Sequence, residues 1–277
     1  RMRRLLQFSP YTRSEGNSII IAIRIDLLQR VYRLTRDPGF QEEKIESLYL
    51  PLQWSKELLV NILDKRIDHL IKRSYTRGKV SHKDILPKQI NNQPAMDYIL
   101  DRTFMRPRDI ILFFNKCIEQ AKGKPDITAR MVNLAEGDYS RERLRSLQDE
   151  WSADYPNMTS FTEILKGFRS QFSLSELTKE HCEEFCLQFL TRTVARNDEL
   201  SEAAVSIYDE KINAQEFSKI VILIFYNIGL LELKLEKFEG FSSIISGQTN
   251  ISPAELDDDT KIKIHPMFWR VLGIKPM

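Results

Sequence analysis

Residues 106–121 read RPRDIILFFNKCIEQA, and this stretch decides how the rest of the chain is assembled. Pro107 suits the first position of a helix, where its missing N–H needs no acceptor, so the stretch predicts a helix over 107–121. Helical spacing continues on both sides. Upstream, Ser55 is a cap candidate and Leu58, Leu59, Ile62, Leu63, Ile67, Leu70 and Ile71 recur at three- and four-residue intervals, with a shorter helix over 95–100. Downstream, helices are predicted over 128–136, 140–151, 160–168 and about 175–197. Two of these open with capping-box pairs, Ser160 with Glu163 and Ser173 with Glu176. The middle of the chain therefore reads as an array of helices.

Both ends read differently. Residues 19–25, IIIAIRI, form a continuous β-branched run, which predicts a strand buried on both faces as in a parallel sheet. The one other early strand candidate is 47–52, confined to an edge by Pro51. Two strands do not complete such a sheet, so the remainder is expected before Arg1. At the other end a helix over 215–227 stops at Gly229, and two alternating strands follow, 230–238 and 261–264, joined by a polar loop whose composition suits a mobile tip. Helix, strand, loop and strand in that order resemble the back of a winged-helix unit. The expected fold is mainly α: the end of an α/β P-loop core in 1–80, a helical lid and array in 81–200, and a winged-helix-like unit in 201–277.

Composition excludes several classes. Of 277 residues 42% are hydrophobic and 29% charged, which places the chain among folded globular proteins. Lys plus Arg at 41 against Asp plus Glu at 39 leaves +2, so a basic surface must be local. Three cysteines form no disulfide framework and predict a reducing, cytoplasmic setting. Nothing in the sequence reads as a membrane span.

Candidate site residues fall in four groups. Arg106 and Arg108 flank Pro107 at the positive end of the predicted helix, an awkward place for two cations unless an anion or acidic neighbours offset them. Arg24 and Asp26 share one face at the end of the first strand, as a ligand-facing pair or as a structural ion pair. Residues 65–88 carry Lys65, Arg66, Lys72, Arg73, Arg77, Lys79, Lys83 and Lys88 against Asp68 and Asp84, which suits either a phosphate backbone or a solvated face. His181, Cys182 and Cys186 share a helix but lack the turn and partners of a zinc site, so they read as core. No metal-binding or catalytic residue is predicted.

RPRDIILFFNKCIEQA resembles the sensor-2 region of KAP-like and STAND-related P-loop ATPases, a branch near the AAA+ proteins found in bacterial defence and signalling. IIIAIRIDLL, LQWSKELLVNILDKRI and the C-terminal HPMFWRVLGI resemble further segments of those proteins in order and spacing. The resemblance implies that Arg108, with Arg106 second, approaches the γ-phosphate of ATP, and that Arg24 and Asp26 lie at the sensor position of a core strand. No GxxxxGK[ST] occurs in the chain. ATP and Mg²⁺ are therefore expected to be held mainly by a phosphate-loop half outside these residues, and turnover only in its presence. Expected partners are the remainder of that ATPase, further copies in an oligomer, and an effector protein in antiviral defence. The other reading is a nucleic-acid-binding adaptor that uses the 65–88 patch and the terminal unit.

Overall fold

The computed structural model describes residues 21–23, 27–28, 31, 49–50, 52–74, 78–124, 126–193, 198–236, 239–244 and 251–276. The chain divides into two compact units, Arg1–Leu52 and Gln53–Met277. In the first, residues 21–23 lie outside regular structure with Ile21 and Ile23 exposed, so the buried strand expected there is not seen in its described part. Arg24 and Asp26 lie outside the described residues, as do 47, 48 and 51 of the second strand candidate.

The second unit is mainly helical. Helix α1 (Lys56–Ser74) starts where Ser55 Oγ accepts from Leu58 N, and it buries Leu59, Leu63 and Ile67 at helical spacing. A short hairpin, β1 (Gln89–Ile90) with β2 (Gln93–Pro94), turns through Asn91 and Asn92, both at positive φ. It leads into α2 (Ala95–Leu100) and then α3 (Pro107–Gln120), with Pro107 at the first helical position as predicted.

The helices expected over 128–136 and 140–151 are one, α4 (Ala129–Trp151), with Thr128 as its cap. Gly137 lies within it and does not break it, because the helix buries a continuous stripe: Val132, Ala135, Glu136, Tyr139, Ser140, Arg143, Leu144 and Leu147. Helices α3 and α4 run antiparallel. Gln120 meets Asp138, Lys116 meets Glu142, the rings of Phe113 and Tyr139 stack at 4.5 Å, and Arg108 meets Glu150.

Beyond α4, the pair Ser160 and Glu163 opens no helix. A turn of helix, α5 (Met158–Phe161), runs into a 3₁₀ segment, Thr162–Leu165. The capping box Ser173–Glu176 forms as predicted but closes only the 3₁₀ turn Leu174–Glu176, and α6 (Lys179–Arg192) begins on its own cap, Thr178. Helix α7 (Glu199–Tyr208), capped by Asp198, was not anticipated, and α8 (Ala214–Asn227) carries a complete capping box from Asn213 and Glu216.

Three antiparallel strands complete the terminal unit: β3 (Gln171–Ser173), β4 (Leu231–Lys234) and β5 (Lys261–Ile264), in the order β3-β5-β4. A long connection joins β4 to β5, α8 packs against β4, and β3 comes from residues 171–173, ahead of the unit expected over 201–277. Residues 257–260 of that connection are pinned rather than loose: Asp258 accepts from Gln215 and its carbonyl from Ser175 N, while Asp257 and Thr260 bond one another. Residues 245–250 lie outside the described residues.

The chain then turns back. After β5, residues Pro266–Phe268 form a 3₁₀ turn and α9 (Trp269–Leu272) packs on α4, where Ser140 Oγ donates to Met267 O at 2.7 Å and accepts from Val271 N. The helical array and the terminal unit thus share one core.

Candidate functional site

The predicted arginines lie at the N-terminal end of α3. Arg106 is the N-cap residue in extended conformation, without a side-chain cap, and Arg108, the second residue of the helix, is half-exposed. Their orientation is set by the turn before them. Met105 sits in the left-handed region at φ 51°, a conformation that costs a residue with a Cβ on the order of 1 kcal/mol or more. Two bonds hold it there: Thr103 Oγ1 accepts from Met105 N, and Asp109 Oδ2 accepts from Phe104 N at 3.1 Å. The reversal directs Phe104 into the core and leaves Arg106 and Arg108 toward the surface.

Two carboxylates face these arginines. Asp109 is fully buried, with Arg143 Nη2 at 3.4 Å and Arg108 Nε at 3.7 Å from its Oδ1. Glu150, near the end of α4, places one oxygen, Oε2, at 3.9 Å from Arg106 Nη1 and 3.8 Å from Arg108 Nη2. At these two distances Glu150 and the arginines interact through charge. Asp109 Oδ1 and Arg143 Nε are buried without a hydrogen-bond partner. The sequence marked Arg106 and Arg108. Glu150 and Arg143 were missed because they belong to a different helix, and no local pattern in α4 points to the arginines they meet.

Behind this end lies a second polar cluster. Glu136, 2% exposed, accepts from Tyr98 Oη at 2.6 Å, Arg102 Nε at 2.7 Å and Arg270 Nε at 3.1 Å. The Arg102 guanidinium lies 3.4 Å from the centre of the Tyr98 ring and 5.6 Å from that of Trp269. Burial, reinforced by the Glu136 charge, pushes the Tyr98 hydroxyl up to about 12. Tyr98 is therefore a hydrogen-bond donor here and not a base. Next to it Phe104 meets His265 and Phe268 edge-on at 5.0 and 5.8 Å. His265 Nδ1 accepts from Met267 N, and burial drives its pKa down to about 3, keeping the ring neutral. Residues 102–109 thus pack directly against residues 265–270.

The other candidates are placed as follows. Among the basic residues of 65–88, Lys65 and Lys79 line a groove of about 600 Å³ together with Lys56, but Glu57, Asp64, Asp68 and Asp97 line it too. Asp64 accepts from His82 N and Nδ1, and Asp68 accepts from Val80 N, so acids are built into the floor. The groove carries both signs. Helix α8, which follows α7 as a recognition helix would, is buried without a break from Val221 to Tyr226 and presents no continuous face for a DNA groove.

Cys182 and Cys186 are buried, as is Cys117. Burial raises all three thiols, Cys117 and Cys186 to about 12, so they are core residues and not thiolate ligands or nucleophiles. Among the described residues no group of three or more His, Cys, Asp or Glu is placed to hold a metal ion, and no helix is long and apolar enough to cross a membrane. The donor set at α3, two guanidiniums facing outward, fits phosphate oxygens.

No curated protein and no solved structure matches the chain. Over residues 57–148, which run from α1 nearly to the end of α4, the sequence matches the model of a family described as the FunZ-associated C-terminal helical domain.

Proposed function

We propose that the chain is the nucleotide-sensing, regulatory C-terminal portion of a P-loop ATPase of bacterial defence, and that it couples the state of bound ATP to contacts with an effector or with other copies. The observation that carries this reading is the outward pair Arg106 and Arg108 on a turn whose inward residue, Phe104, touches the terminal unit. A displacement of the arginines by a fraction of an ångström is felt at His265 and Phe268, because a close-packed core transmits strain. The match of residues 57–148 to a C-terminal helical domain supports the placement of the module at the back of a larger machine.

ATP, held by the phosphate-loop half, supplies the phosphate charge; the chain's own residues supply its recognition. Arg108 would hold the terminal phosphate as a hydrogen-bonding cation with Arg106 assisting, while Asp109 lies behind the guanidinium of Arg108 at 3.7 Å. Mg²⁺ finds no ligand cluster among the described residues of this chain.

The test uses the complete protein that contains this chain together with its phosphate-loop half. Arg108→Ala should weaken ATP binding or slow turnover at least tenfold, the range seen when a charged contact to a transferring phosphate is lost. Unchanged binding and turnover would remove the assignment.

A further inference from the structure

We infer that Glu150 is an internal ligand of the arginine pair, occupying with its carboxylate the position that a phosphate oxygen takes when an anion binds. This rests on the reading of Arg108 as a phosphate contact and adds what the pair does when no phosphate is present.

The geometry is specific. Two guanidiniums from successive positions around Pro107 converge on one and the same oxygen atom, Glu150 Oε2, at 3.9 and 3.8 Å. A single oxyanion held by two arginines is how a terminal phosphate oxygen is bound, and a carboxylate offers the same charge and acceptor at that point. The second nearby carboxylate cannot play this part. Asp109 is wholly buried: its Oδ2 accepts from Phe104 N, and its Oδ1 lies behind Arg108, between that guanidinium at 3.7 Å and Arg143 at 3.4 Å, out of reach of an anion from solvent. Glu150 instead retains some exposure, 16%, and sits on the last turn of α4.

Charge favours exchange: Glu150 brings one negative charge to the two positive charges of Arg106 and Arg108. A multiply charged phosphate outcompetes a single carboxylate for the outer pair, but it must first displace that carboxylate and then bind beside it. Glu150 thus sets the threshold at which the arginines respond, and keeps them from being held by weaker anions in between.

The test uses the 277-residue chain and inorganic tripolyphosphate, titrated calorimetrically at low salt. Glu150→Gln removes one negative charge about 6 Å from the bound anion, which at near-aqueous screening corresponds to about a threefold gain in affinity per unit charge of the nearest phosphate and about tenfold for a doubly charged one. The gain should shrink as salt is added. Arg108→Ala should lose binding in either background. Far-ultraviolet circular dichroism checks that each variant is folded, and Glu150→Asp, which keeps the charge on a shorter arm, should bind closer to wild type than Glu150→Gln. If Glu150→Gln binds no tighter than wild type while Arg108→Ala loses binding, the arginine reading stands and the role of Glu150 is overturned. If Arg108→Ala binds as well as wild type, the arginine reading falls and this inference with it. Absence of binding by Glu150→Gln at tens of millimolar also overturns it.

Discussion

Replacing Arg102 by Met tests whether the Glu136 cluster holds the helical array to the terminal segment. Arg102 is almost fully buried, donates to Glu136 Oε1 at 2.7 Å and to Tyr98 O at 3.1 Å, and has its guanidinium carbon 3.4 Å from the centre of the Tyr98 ring. Met fills much of the volume but leaves Glu136 ionised in the core, with Tyr98 Oη and the half-exposed Arg270 as its remaining partners. Removing one member of a buried pair costs about 3–5 kcal/mol, because the survivor keeps its desolvation penalty. With a urea m-value of about 2–3 kcal/mol/M for a chain of this size, the midpoint should fall by about 1–2 M, followed by circular dichroism. The double variant Arg102→Met with Glu136→Leu removes both charges. Tyr98 Oη and Arg270 Nη2 then still have Asn133 Oδ1, at 3.1 and 3.3 Å. The double variant should therefore be at least about 2 kcal/mol more stable than the sum of the two single losses predicts. Additivity within about 0.5 kcal/mol would refute the claim that the two charges stabilise the fold as a pair.

Two further outcomes are expected. His265 is neutral in the folded chain with a pKa near 3, against 6.5 when unfolded, so the unfolded state takes up a proton first as the pH falls. Stability contributed by the neutral ring is complete above about pH 6.5 and is lost on acidification toward pH 3, amounting to about 2 kcal/mol by pH 5. His265→Asn keeps an acceptor for Met267 N and should flatten the slope between pH 6.5 and 5 in denaturant titrations; an unchanged slope would assign it to other groups. Gly273 closes α9 at φ 64°, and a Cβ there would meet nothing within 4 Å, so Gly273→Ala isolates the backbone term. A loss of about 1 kcal/mol is expected, and a gain would show that unfolded-state entropy outweighs the left-handed strain.

How legible this was depended on whether a signal was local. Pro107, the Ser55 cap and the alternating residues of β5 act over three or four positions, and the elements they predict start where these residues place them. Helix α4 was misread because its core stripe carries Glu136, Ser140 and Arg143, residues that sequence patterning assigns to a surface. Their burial is intelligible only once Arg102, Met267 and Asp109 are brought to them from elsewhere. The two capping-box pairs show the limit of local chemistry: Ser173 and Glu176 form their box but close only a 3₁₀ turn, while Ser160 lies inside α5 and caps nothing. At the site, the arginines were readable from Pro107, whereas Glu150 was not.

The return of residues 265–272 onto α4 has a consequence for how the chain is made. Glu136 and Arg270 are separated by 134 positions, yet each completes the other's surroundings. At roughly 5–20 residues per second, synthesis leaves the helical array without its last neighbour for on the order of ten seconds. During that interval a carboxylate and a guanidinium stand in an unfinished cleft beside Trp269's empty place. The array is thus finished late, by α9, and synthesis that stops short of α9 leaves a domain with its charges in place and this cover missing.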